Sequence, residues 1–138
     1  MTVIIAAWNE ERTIGPTLDR IAALSYPGRL EVVVADNNST DRTAELAEQT
    51  AQRHGLEYRR VFEPTGGKHH ALNLALESVT TPLIVTVDAD TLLHSEALTF
   101  LIARVTSRPQ DQHVCACAGA LVVQNAQDRK STRLNSSH

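Results

Sequence analysis

Short apolar runs rich in β-branched residues recur along the chain. Each is followed by a polar cluster and then by a stretch with helical spacing. That alternation dictates an α/β chain whose sheet is parallel or mostly parallel, with helices on both faces. The runs are residues 2–7 (T-V-I-I-A-A), 30–35 (L-E-V-V-V-A), 56–62, 83–87 (L-I-V-T-V) and 114–123. The run at 83–87 reads as a strand buried on both faces, and the more polar 56–62 as one nearer an edge.

Between the runs, Ile14, Leu18, Ile21 and Leu24 fall at helical spacing behind Thr13, a candidate cap, with Pro16 tolerated in the first turn. Ala44, Leu46, Ala47 and Ala51 mark a second helix over 41–54, and Gly55 is its expected stop. A third is expected over 68–79, with Leu72, Ala75, Leu76 and Val79 inward. Ser95 is expected to cap a fourth, bearing Leu98, Leu101, Ile102 and Val105.

At 138 residues the chain is one domain at most, long enough to bury roughly two thirds of its unfolded surface. Cys115 and Cys117 alternate with alanines and are expected on one strand face; C-x-C alone is a poor zinc signature. No signal peptide or apolar run of about 18 residues is present. Residues 128–138 (D-R-K-S-T-R-L-N-S-S-H) are polar, aperiodic, and similar to the conceptual translation of a common sequencing adapter. They are read as a non-native tail, leaving 1–127 as a partial domain that continues beyond this chain. Setting the tail aside removes Arg129, Lys130 and Arg133 from 13 basic residues and Asp128 from 16 acids. The remainder is 10 against 15, a net charge of −5. That balance disfavours nucleic acid as a partner.

The polar clusters after Ala7, Ala35, Phe62 and Val87 all follow the carboxyl ends of expected strands, the edge along which open α/β sheets bind ligands. Asp88 and Asp90 are two apart, so in extended backbone they share a face. Their carboxylates would sit roughly 6–7 Å apart, at a repulsive cost on the order of 2–3 kcal/mol. A divalent cation reverses that sign, and Mg²⁺ or Mn²⁺ suits oxygen ligands. A pair of solvated loop acids is the plain alternative.

Gly66-Gly67-Lys68 places a turn and a cation at a helix start, an anion site in chemistry though not a P-loop. An exposed lysine on an ordinary helix start competes with that reading. Asp36 could accept hydrogen bonds from a base or sugar, or simply form a turn. Trp8 could stack on a base or pack, and Glu10 could bind ligand or cap the next helix. The adjacent His69 and His70 cannot form an i, i+4 metal pair. Asn73 is placed to orient the glycine loop.

With these residues assembled, the sequence resembles the family 2 glycosyltransferases with the GT-A fold over residues 2–127. V-I-I-A-A-W-N-E-E is similar to the opening P-x-Y-N-E, with Ala6 for proline and Trp8 for tyrosine. V-V-V-A-D-N-N-S-T-D-R-T is similar to D-D-G-S-T-D-x-T, with Ala35 set against the first aspartate and Asp36 against the second. V-D-A-D-T matches the D-x-D motif, and G-G-K-x-x-A-L-N resembles the membrane-bound processive branch: cellulose, chitin, hyaluronan and poly-N-acetylglucosamine synthases. The resemblance implies a Rossmann-like nucleotide-diphospho-sugar transferase fold, truncated at its C-terminus. It implies a nucleotide-sugar site of Ala6, Trp8, Glu10, Asp36, Lys68, Asp88 and Ala89, with Asp90 on Mg²⁺ or Mn²⁺ and Asp88 indirect.

It further implies inverting transfer from a nucleotide donor, expected to be a UDP-sugar, to a glycan or lipid-linked acceptor. The catalytic base and acceptor motif would lie downstream, leaving this fragment inactive alone. The full-length protein would sit on the cytoplasmic face of a membrane, through segments absent here, while the fragment itself would be soluble and cytoplasmic. The alternatives are a polyprenyl-phosphate or single-transfer glycosyltransferase and a non-catalytic nucleotide-binding module. A haloacid-dehalogenase-type phosphatase fits poorly, because Leu92 fails its motif.

Overall fold

The computed structural model describes residues 1–107 and 116–119. The chain divides into two units, Met1–Phe100 and Leu101–His138. The elements run β1 (Thr2–Ala7), α1 (Ile14–Ala22), β2 (Glu31–Asp36), α2 (Thr43–His54), β3 (Glu57–Phe62), α3 (Lys68–Glu77), β4 (Ile84–Asp88) and α4 (Ala97–Thr106). The strands pair in parallel in the order β3-β2-β1-β4, the sheet expected from the alternation.

Strand side chains alternate between faces, and residues in register across a parallel pair share one. Ile4, Val33 and Ala35 form one buried cluster with Ala71 and Ala75 of α3, and Val61, Leu72 and Val79 are partly buried around it. Val3, Ile5, Val32 and Val34 point to the other side and are also fully buried. There α1 and α2, packed on each other, bury Ile14, Leu18, Ile21, Ala47 and Ala51. Burying each large aliphatic side chain contributes about 1.5–3 kcal/mol. Gly55, at φ 62°, ends α2 in the left-handed conformation that a glycine stop supplies.

Several expectations change. The run at 83–87 is not buried on both faces. Among the described residues β4 pairs only with β1, and while Val87 is buried, Ile84 is 42% exposed and Thr86 and Asp88 are exposed. An apolar run reports which side chains favour burial, not how many neighbours the strand acquires. Thr13 stands at the start of α1 but does not cap it. Its ψ of −27° is already helical, and its hydroxyl donates to Glu10 Oε2 at 2.7 Å. On α3, Leu76 is exposed, and Ala71 and Ala75, four residues apart and so on one helical face, take the inward places.

The expected strand at 114–123 lies outside the described residues except for 116–119, which carry no strand. Cys117 is exposed, with its Sγ 3.5 Å from the Leu101 carbonyl. Cys115 and residues 128–138 lie outside the described residues. Among the described residues no helix is long and apolar enough to cross a membrane.

Candidate functional site

A cleft of about 330 Å³ opens at the carboxyl edge of the sheet, lined among others by Ala6, Trp8, Glu10, Lys68, Asp88 and Asp90. Register explains why α3 and β4 meet there. Asp88 pairs with Ala6, two residues beyond Ile4, so it lies on the face that α3 covers. Lys68 opens α3 at that same end, and its ammonium donates to Asp88 Oδ1. Both side chains are 58% exposed, so this ion pair stands open to solvent.

The strand stops at Asp88. Ala89 and Asp90 form a turn closed by Thr91 N–H donating to the Asp88 carbonyl at 3.0 Å. The two carboxylates therefore reach the cleft from a strand end and a turn, not from alternate positions of one extended strand as the D-x-D spacing suggested. The turn is anchored from beneath: buried Thr17 of α1 donates its hydroxyl to the Ala89 carbonyl at 2.7 Å, and Ala89 is 2% exposed.

Trp8 and Glu10 are held by a zipper between the loops that follow β1 and β2. Asn9 N–H donates to Ser39 Oγ (3.0 Å), Asn9 Oδ1 accepts from Thr40 N–H (2.8 Å), and Glu10 N–H donates to Thr43 Oγ1 (2.8 Å). Asn9 (φ 53°) and Asn38 (φ 58°) take the left-handed turns that let the two loops interlock. The zipper leaves the Trp8 ring 63% exposed at the cleft rather than packed in the core.

Asp36 behaves differently. It pairs with Ala7, so it lies on the sheet face opposite Asp88, and it does not line the cleft. Its side chain is fully buried. Oδ1 accepts from Ser39 N–H at 2.9 Å, and Oδ2 accepts from Arg60 Nε at 2.9 Å, with the Arg60 terminal nitrogen at 2.7 Å. Arg60 was not legible in the sequence, since only the β2–β3 register brings it beside Asp36. The alignment of this stretch also shifts by one residue. Counting back from Ser39-Thr40-Asp41 sets the motif's glycine on Asn38, where φ is positive, and its two aspartates on Asp36 and Asn37. Ala35 therefore does not stand at the first aspartate.

Asn37 lines the cleft, and its role was also missed. Oriented by its partners, its amide donates to the Thr65 carbonyl (2.9 Å) and accepts from Gly67 N–H (3.2 Å). It thus ties down the glycine turn, the task expected of Asn73, which is exposed. Gly67 sits at φ 124°, and a Cβ there would lie 2.9 Å from His69 Cε1. His69 and His70 are exposed, their rings 4.0 Å apart.

Among the described residues no three His, Cys, Asp or Glu side chains gather to hold a metal. Two carboxylates at an open cleft nevertheless suit Mg²⁺ or Mn²⁺, ions commonly held by one or two carboxylates with phosphate oxygens and water completing the shell.

The family model described as Glycosyl transferase family 2 matches residues 2–136. An N-acetylglucosaminyltransferase of Rhizobium leguminosarum bv. trifolii is 33% identical over 134 residues, covering 95% of this chain and 71% of that one. The mannosyltransferase PcManGT of Pyrobaculum calidifontis, solved with GDP-Man and Mn²⁺, is 38% identical with a TM-score of 0.72. The match covers 77% of this chain and 32% of that one. S. aureus TarS 1-349 in complex with UDP-GlcNAc is 28% identical with a TM-score of 0.66, over 75% of this chain and 30% of that one. The first curated relatives are longer: this chain spans 28%, 26% and 19% of three of them.

Proposed function

Because the chain belongs to glycosyl transferase family 2, we propose that its cleft is the donor-nucleotide half of an inverting glycosyltransferase that takes a UDP-sugar. The observation that carries this reading is the convergence of Asp88, Asp90 and Lys68 with the exposed Trp8 ring in one cleft. The Trp8 face is available to stack on a base. Lys68 and the first N–H groups of α3 are available to a diphosphate, since a helix N-terminus favours anions. Asp90, with Asp88 beside it, would hold Mg²⁺ or Mn²⁺, which neutralises charge on the departing nucleoside diphosphate.

Asp36 acts at one remove. Buried on Arg60 and Ser39, it stiffens the turn from which Asn37 and the loop zipper hang. The carboxylate that deprotonates the acceptor hydroxyl is assigned to the protein beyond residue 127, as are the acceptor site and any membrane-spanning helices. The glycine-lysine helix start favours a processive synthase over a single-transfer enzyme.

Trp8 is the only tryptophan, so its fluorescence reports on the cleft directly. UDP titrated with Mg²⁺ should quench it saturably, UMP should bind more weakly, and Asp90→Asn should abolish the metal-dependent part. Equal binding of UDP with and without metal, or no saturable response by fluorescence and calorimetry, would refute the reading.

A further inference from the structure

Lys68 is the only cation among the described residues that line the cleft, a lining it shares with three acidic residues, Glu10, Asp88 and Asp90. It is also the first residue of a ten-residue helix. A positive side chain is disfavoured at that end by the backbone dipole, and its contact with Asp88 offsets the conflict. The ammonium therefore lies against an oxygen that a divalent cation in this cleft would need free of competing charge. An arriving diphosphate offers the same ammonium a second set of oxygens at the helix N-terminus, where anions are favoured.

We propose that Lys68 is an exchangeable counter-ion. It neutralises Asp88 while the cleft is empty and passes to the diphosphate when the nucleotide binds, releasing Asp88 toward the divalent cation. The inference rests on the donor-site reading above and adds a sign to it. Lys68 opposes binding of the cation alone and favours binding of the nucleotide. The two ligands are thereby coupled, and the coupling is reciprocal. A lysine held away from both carboxylates in the empty cleft, by more than a screening length, would leave affinity for the cation alone unchanged.

The test uses the full chain with Mn²⁺ alone, with free Mn²⁺ read by electron paramagnetic resonance, and then Mn²⁺ with UDP by calorimetry. Lys68→Gln should bind Mn²⁺ alone roughly twofold to fivefold more tightly, the range of one exposed ion pair. It should bind UDP in the presence of Mn²⁺ about tenfold more weakly, the scale of a charge-assisted hydrogen bond. Lys68→Arg keeps the charge and should restore the weak affinity for Mn²⁺ alone, with circular dichroism verifying that both variants fold. Unchanged or weaker Mn²⁺ binding in Lys68→Gln overturns the proposal, as does the absence of Mn²⁺ binding in both forms. So does unchanged UDP affinity. Failure of the donor-site reading has a different signature: the wild-type chain itself would then not bind UDP with Mn²⁺.

Discussion

Removing Arg60 should destabilise this chain more than neutralising its partner Asp36. The Asp36 side chain is fully buried, whereas that of Arg60 is 39% exposed. The gross attraction of a unit-charge pair at about 4 Å and an effective dielectric near 20 is about 4 kcal/mol. Water reaches the arginine side of the pair, so part of that is screened. Arg60→Met leaves a buried carboxylate with Ser39 N–H as its remaining partner. The substitution also removes a guanidinium that stacks 5.2 Å above the centroid of the Phe62 ring, a cation–π attraction that methionine does not replace. The expected cost is about 2–3 kcal/mol, below the full penalty for breaking a wholly buried pair. Asp36→Asn keeps an oxygen for Ser39 N–H and leaves a half-exposed arginine that water can solvate, so about 1 kcal/mol is expected. Urea unfolding followed by circular dichroism measures both. An Arg60→Met cost below about 0.5 kcal/mol, or one smaller than that of Asp36→Asn, would refute the claim that the buried carboxylate governs this pair.

The two positive-φ glycines should respond differently to alanine. At Gly55 a Cβ meets nothing within 4 Å, so only the left-handed strain of about 1 kcal/mol is expected. At Gly67 the backbone (φ 124°, ψ 119°) lies farther from any conformation an L-residue adopts readily, while the exposed His69 ring can swing away from the new Cβ. Thermal unfolding should therefore show a larger loss from backbone strain, and UDP affinity should fall because the Lys68 loop shifts. The hydrogen bond from Arg59 holds the Glu31 carboxyl below its ordinary value of 4.5, assisted by the Thr2 hydroxyl and opposed by desolvation. A carboxyl lowered in the folded state contributes its stability above the unfolded value and loses it as pH falls through the folded one. Wild-type stability should therefore drop below about pH 4.5, while Glu31→Gln should be less stable at pH 7 and show a shallower drop. Equal slopes for the two proteins would contradict the assignment.

The element order was legible because it is a local property. β-Branched runs and helical periods are written in neighbouring residues, and they place the polar clusters at one sheet edge, where the family resemblance implied eight site residues. Seven of those eight (Ala6, Trp8, Glu10, Lys68, Asp88, Ala89 and Asp90) line the cleft, and Asp36 does not. The reason is parity. A residue's face depends on its register with neighbouring strands, and Asp36 stands opposite Ala7 while Asp88 stands opposite Ala6. A one-residue difference in register moves a side chain to the other side of the sheet.

By itself, then, the sequence determined the strand and helix order, the parallel sheet and the edge at which polar residues collect, because each follows from periodicity and short-range chemistry. Only the tertiary structure decided that β4 pairs with β1 alone among the described residues, that Arg60 neutralises Asp36, that Asn37 holds the glycine turn, and that Lys68 rests on Asp88. Each of the four depends on residues 20 or more positions apart, which no local pattern encodes, since strand register and helix docking bring them together.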